Sequence, residues 1–187
     1  KFCYNHLMNN TYYFIRHAHS SYTPDEINRP LSDKGQASLA QLDFLADKPI
    51  TAIYSSPYRR AIQTVEPLAQ SLKLAIQTDN RLIERKLSSQ AIADPDFEEA
   101  LMKLWSRPTF SLVGGESNQQ AKQRTLAFLH ELEIKHQNEE IIISSHGNLI
   151  CILLSAFDSS IDYDFWRSLS MPDVLVLDKN EKITHLL

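Results

Sequence analysis

The chain has 187 residues, 43% of them apolar, and a net charge of −4; that length supports one sizeable core and is short for two independent domains. No block of five or six like charges occurs, which argues against a nucleic-acid stripe or a polybasic membrane anchor, and no apolar run reaches the roughly 18 to 20 residues of a membrane span. A small soluble ligand fits better, and any arginine cluster must be assembled from distant positions. Cys3 and Cys151 lie far apart and suggest no disulfide framework, so reduced thiols and a cytoplasmic location are expected. Residues 1–10 read as a leader without the apolar middle of a signal peptide. The stretch before Met8 reads as non-native or as an upstream extension, leaving a single domain over 11–187.

Thr11 to Ile15 is aromatic and β-branched, a buried strand that delivers Arg16 and His17 to its C-terminal end. After a polar loop through Pro24 and Pro30, Ser32 can cap a helix from Asp33 to about Ala46. Ile50 to Tyr54 is a second strand, and Ser55-Ser56-Pro57 reads as a helix start with Ser56 as N-cap and proline first. Leu74 to Gln77 is a weak strand, followed by Arg81-Leu82-Ile83-Glu84-Arg85 in a loop. The spacing of Phe97, Leu101, Leu104 and Trp105 predicts a helix over Asp94 to Trp105, stopped by Pro108. Gly114-Gly115 is a turn, and a long polar helix runs from Glu116 to about Gln137. Ile141 to Ser145 is a continuous β-branched run, as in a strand covered on both faces, and His146-Gly147 ends it. A helix from about Asn148 to Phe157 and a hairpin of Val174–Leu177 with Ile183–Leu187 complete the chain.

Strands alternating with helices predict an α/β fold, a mostly parallel sheet with helices on both faces. Ligands of such sheets bind beyond the carboxyl ends of the strands, where Arg16-His17, the turn from Ser55 to Arg60, and His146 all fall. His17 and His19, two apart, point the same way on a strand and suit a metal, but a metal site needs further ligands, and the later strand ends offer His146 without an Asp. A phosphate site accounts for more of these residues. Guanidinium forks match phosphoryl oxygens, helix N-termini add N–H donors, and phosphoryl transfer is mostly positioning and charge stabilisation.

RHAHS after the first strand, PLSDKGQA before the first helix, SSPYRRAIQT, RLIERKLS, GGESNQQAKQR and SSHGNLI stand in the order seen in the histidine phosphatase superfamily, the phosphoglycerate mutase-like family, which the chain resembles over roughly Thr11 to Leu154. The resemblance implies the three-layer α/β/α sandwich of that family and a metal-independent phosphatase without cofactor. His17 would be the nucleophile that becomes phosphohistidine, Glu84 the proton donor, and Arg16, Arg60 and His146 the pocket around the phosphoryl oxygens. Thr23, where many relatives have asparagine, would give a weaker phosphate contact. His19, Arg85 and Glu116 would lie at the substrate rim, with Glu116 and Arg124 in structural or rim roles; Arg59, one position off the motif, reads as a solvated helix residue. Ala18 and His19 replace the usual glycine and acidic or amide residue, which bears on substrate preference. The stretch between Glu84 and Gly115 is short for the closing cap of a mutase, so phosphatase chemistry on a small phosphorylated substrate, releasing inorganic phosphate, is expected. A phosphoglycerate mutase-type phosphotransferase and a non-catalytic phosphate-binding module are the alternatives. Neither nucleic acid nor membrane is an expected partner, and oligomeric state is not legible.

Overall fold

The computed structural model describes residues 8–90 and 94–187, and of Asp94 and Pro95 the backbone alone. The leader up to Leu7, with Cys3, lies outside these. Residues 8–10 do not form a separate leader: Met8 is buried in the core, and the buried Asn10 accepts from Glu139 N–H and donates to the His136 carbonyl.

Six strands form one sheet: β1 (Thr11–Arg16), β2 (Ile50–Ser55), β3 (Ile76–Thr78), β4 (Glu140–Ser145), β5 (Asp173–Leu177) and β6 (Ile183–His185), in the order β3-β2-β4-β1-β5-β6. Strands β1 to β4 pair in parallel, and β5 runs antiparallel between β1 and β6. The sheet is therefore mostly parallel, as expected. Because successive side chains on a strand face opposite ways, β1 splits its aromatics. Tyr12 and Phe14 join Ile141, Ile143, Phe128 and Leu132 on one face; Tyr13 and Ile15 join Ile53, Ile142, Leu45 and Val65 on the other.

The helices cover both faces. On one lie α1 (Asp33–Ala37) with the 3₁₀ segment Leu39–Asp47, and α2 (Arg59–Leu72); on the other lie α4 (Asn118–Lys135) and α5 (Gly147–Leu154). Two further helices, α3 (Asp94–Ser106) and α6 (Tyr163–Ser168), meet through Trp105 stacked on Trp166. No helix among the described residues is long and apolar enough to cross a membrane.

Two sequence expectations change and one helix is new. The helix drawn from Asp33 to Ala46 breaks at Ser38, whose hydroxyl bonds back to the Gly35 carbonyl (2.8 Å), and continues as 3₁₀ turns. The helix after β2 starts at Arg59, with Tyr58 as N-cap and no side-chain cap. Ser56 is engaged elsewhere, and the Arg59 N–H is satisfied by the Ile27 carbonyl (2.8 Å). Helix α6 was not foreseen; it is only six residues long and buries none of them. Helix α4, expected from Glu116, starts at Asn118 behind a reciprocal capping box of Ser117 and Gln120.

Candidate active site

Parallel pairing places the C-terminal ends of β1, β2 and β4 side by side, with Arg16 opposite Ser145 and Ser55 opposite Ser144. The residues that follow these ends meet in space. His17 turns its Nδ1–H onto the Ala18 carbonyl (2.7 Å), which leaves the lone pair on Nε2. Arg60, on the first turn of α2, donates its Nε–H to that atom at 3.1 Å. The His146 ring packs edge-on against His17, centroids 5.2 Å apart, and against Tyr58 at 5.1 Å. Desolvation is the main reason that the His17 pKa falls to about 3, with the Arg60, Arg16 and Arg29 charges adding to it. Burial first, then the charges of His17, Arg60, Arg124 and Arg16, hold His146 well below 6.5. Both rings are neutral at ordinary pH.

His146 is fully buried, and its Nε2 lies 2.9 Å from Ser56 Oγ, while its Nδ1 has no partner. Ser56 Oγ also accepts the Tyr58 N–H (3.3 Å). Ser56 is itself buried and its hydroxyl has no other acceptor among the described residues, so its hydrogen goes to Nε2 and His146 carries its proton on Nδ1. A charged His146 is unnecessary for donating to an oxyanion: a neutral ring already presents an N–H. Sequence reading assigned Ser56 to a helix cap; proximity to His146 is a tertiary fact with no local signature.

Arg16 hydrogen-bonds the Leu169 carbonyl through one Nη (2.7 Å), while its buried Nε is unpartnered. A Cβ on residue 147 would sit 2.7 Å from that Nε, so glycine at 147 is what lets the guanidinium lie against the start of α5. Burial lowers the pKa of Arg16 and of Arg60 without bringing either near neutrality.

Glu84 projects from the loop after the short 3₁₀ turn Asn80–Leu82, and its Oε1 accepts from Arg85 N–H (2.8 Å) and Leu149 N–H (3.1 Å). Desolvation raises its pKa above 4.5 against the opposing pull of the Arg85 N–H and of the Arg85, Arg60 and Arg16 charges. Arg124 holds this loop. Its guanidinium donates to the Arg81 carbonyl (2.5 Å), the Ile83 carbonyl (2.9 Å) and both Glu116 carboxylate oxygens. Glu116 is thus the counter-ion of a clamp, and the structural role fits it better than a rim. Gly115 lets the clamp close, because a Cβ there would lie 2.1 Å from the Leu87 carbonyl.

The remaining expected rim residues fare differently. Arg85 is 2% exposed, with all three guanidinium nitrogens buried and unpartnered, so it lies beneath the surface and not at a rim. His19 is half-buried, its Nδ1 2.7 Å from Ser32 Oγ, the cap of α1. Thr23 donates to the Asp25 carbonyl (3.0 Å) within its own loop. Arg59 is exposed, as read. Of the apolar set between Glu84 and Gly115, Leu101 is buried and Trp105 donates to Asn148 Oδ1 (3.1 Å), whereas Phe97 is largely exposed. No three His, Cys, Asp or Glu side chains among the described residues are grouped as metal ligands.

Two residues of the cluster were not foreseen. Arg29, whose charge bears on both His17 and Arg60, and Glu26, which bridges Arg29 and Arg60, come from the loop after β1. Neither belongs to a block that stood out in the sequence.

The family profile of the histidine phosphatase superfamily (branch 1) fits residues 12–178, which include the histidines just past the ends of β1 and β4. The chain belongs to the histidine phosphatase superfamily. Among its relatives is phosphoserine phosphatase 1 of Hydrogenobacter thermophilus, 28% identical over 145 residues, which are 71% of this chain and 68% of that protein. Phosphoglycerate mutase-like protein 4 of Arabidopsis thaliana is also 28% identical, over 73% of this chain and 66% of that one. In fold, this histidine phosphatase superfamily member is similar to the mycobacterial glucosyl-3-phosphoglycerate phosphatase in complex with inorganic phosphate, with a TM-score of 0.76 at 20% identity and 95% of each chain covered.

Proposed function

We propose that the protein is a phosphomonoester hydrolase that works through a phosphohistidine on His17, without a metal ion. The observation that carries the reading is the fixed tautomer of His17: Nδ1–H is tied to the Ala18 carbonyl, so Nε2 offers its lone pair among Arg16, Arg60 and the His146 N–H. Phosphatases among the named relatives support the same class.

In the first step Nε2 of His17 attacks phosphorus, the P–O ester bond breaks, and Glu84, protonated because burial raises its pKa, gives its proton to the leaving alkoxide. Arg16, Arg60 and the neutral His146 N–H stabilise charge on the non-bridging oxygens. In the second step the Glu84 carboxylate takes a proton from water, whose oxygen attacks phosphorus. The N–P bond breaks, inorganic phosphate leaves, and both His17 and Glu84 return to their starting protonation states.

The test is turnover of p-nitrophenyl phosphate with chelator present, with acid-labile, base-stable phosphate trapped on the protein. Wild type should turn over and trap label at His17; His17→Ala should lose more than about 10³-fold of kcat and all of the label. Equal rates in the two proteins, or activity abolished by chelator, would sink the proposal.

A further inference from the structure

The loop after β1 places a carboxylate where an anion would bind. Arg60 spends its whole guanidinium at rest: Nε on His17 Nε2, Nη1 on the Glu26 carbonyl (2.7 Å) and Nη2 3.2 Å from Glu26 Oε2. The other carboxylate oxygen of Glu26 is ion-paired with Nη2 of Arg29, which also reaches the Thr23 carbonyl at 3.3 Å. The two arginine side chains are 5% and 16% exposed, whereas Glu26 is 53% exposed. Arg29 Nε is buried without a partner, and its guanidinium lies over the Tyr22 ring, 5.0 Å from the centroid.

Two largely buried cations therefore face each other across one solvent-exposed carboxylate. Removing that carboxylate with nothing in its place would leave like charges opposed in a low-dielectric site. A phosphoryl dianion carries more charge than a carboxylate and offers more oxygens to the same forks. We propose that Arg29 is a third phosphate-binding arginine and that Glu26 is its internal competitor, a carboxylate that a phosphomonoester or inorganic phosphate must displace from Arg29 and Arg60. The inference rests on the phosphatase reading for its ligand class, and its test does not require turnover.

Calorimetric titration with inorganic phosphate provides that test. If Glu26 occupies the arginines about nine-tenths of the time, freeing them tightens phosphate binding about 10-fold, since apparent affinity scales with the competent fraction. Glu26→Gln removes the charge, and Glu26→Asp keeps it but shortens the reach; both should tighten binding. Tightening by Glu26→Gln alone, with Glu26→Asp like wild type, would show a simple charge effect and overturn the bridge; unchanged or weaker binding in both would overturn the competitor. Arg29→Gln should weaken phosphate about 10-fold and Arg29→Lys less, each checked for a wild-type melting temperature; unchanged affinity in a folded Arg29→Gln would remove Arg29 from the site. Phosphate binding that responds as expected in a protein that hydrolyses no ester would sink the hydrolase reading and leave this one standing. Hydrolysis with unaltered phosphate affinities would do the reverse.

Discussion

Two buried polar networks lie on the same sheet and are built on opposite rules. Around the start of β1 and the end of α4, Asn10 Nδ2 donates to Tyr12 Oη, Glu133 and the His136 carbonyl. Tyr12 donates to Glu133 (2.6 Å), and His136 is held between Tyr54 and Glu139 at 2.9 Å each. Each of these groups has partners. At the carboxyl ends of the strands the opposite holds. Apart from Asn118 Oδ1, the unpartnered buried side-chain atoms among the described residues are Arg16 Nε, Arg29 Nε, the Arg85 guanidinium and His146 Nδ1. Buried polar atoms are normally satisfied, and leaving one without a partner costs about 1–3 kcal/mol. The first network spends its hydrogen bonds on stability; the second withholds them, and that difference marks where a ligand belongs.

The contrast can be broken at either end. The largest effect is expected at Glu84: Glu84→Gln should cut kcat about 10²- to 10⁴-fold for an ester with a poor leaving group, and much less for p-nitrophenyl phosphate, whose leaving group needs no proton. Equal losses for both esters would remove Glu84 from proton transfer. In the satisfied network, Asn10→Ala strands the His136 carbonyl and the Glu139 N–H and should cost about 1–3 kcal/mol in denaturant unfolding, while kcat of the folded protein is unchanged.

The pH dependence of stability should separate the two networks as well. His17 is neutral when folded down to about pH 3, yet protonates near 6.5 when unfolded, so between those values the unfolded chain binds the extra proton. Stability then falls as pH drops from 6.5 toward 3, and His146 adds in the same direction. Glu84 acts oppositely. Its folded pKa lies above 4.5, so its contribution is complete below 4.5 and is lost as pH rises through the folded value. In His17→Ala the acid-side slope of unfolding free energy against pH should be shallower, and an unchanged slope would contradict the neutral buried ring.

The smallest effect is expected from Ser56→Ala. Losing the hydroxyl that fixes the His146 tautomer should reduce kcat about 10-fold, near 1.4 kcal/mol, with Ser56→Thr restoring it. Nitrogen-15 shifts of the His146 ring should show Nδ1–H in wild type and a mixture in Ser56→Ala; a mixture in both would break the assignment.

Much of the framework is written locally. TYYFI and IIISS announce β1 and β4 through β-branched and aromatic runs, and the long polar stretch after Gly114-Gly115 announces α4. His17, Arg16, Arg60 and His146 follow from blocks that sit at strand ends, and Glu84 from the family resemblance of RLIERKLS. What local patterns do not encode is which polar group meets which. Ser56 looks like a helix cap until β4 brings His146 beside it. Arg85 looks like a surface residue because arginine usually is one, and only tertiary packing encloses it. Arg29 and Glu26 sit in a loop whose composition resembles any polar connection. The antiparallel placement of β5 beside β1 is likewise a matter of long-range pairing, although the hairpin itself is readable from its turn.

Residue 147 sets a limit of another kind. A Cβ there would come within 2.7 Å of Arg16 Nε, so any larger residue must push the end of that side chain aside. Reshaping this end of the sheet from the loops leaves Arg16 where it is, whereas a side chain added at 147 moves the guanidinium with it.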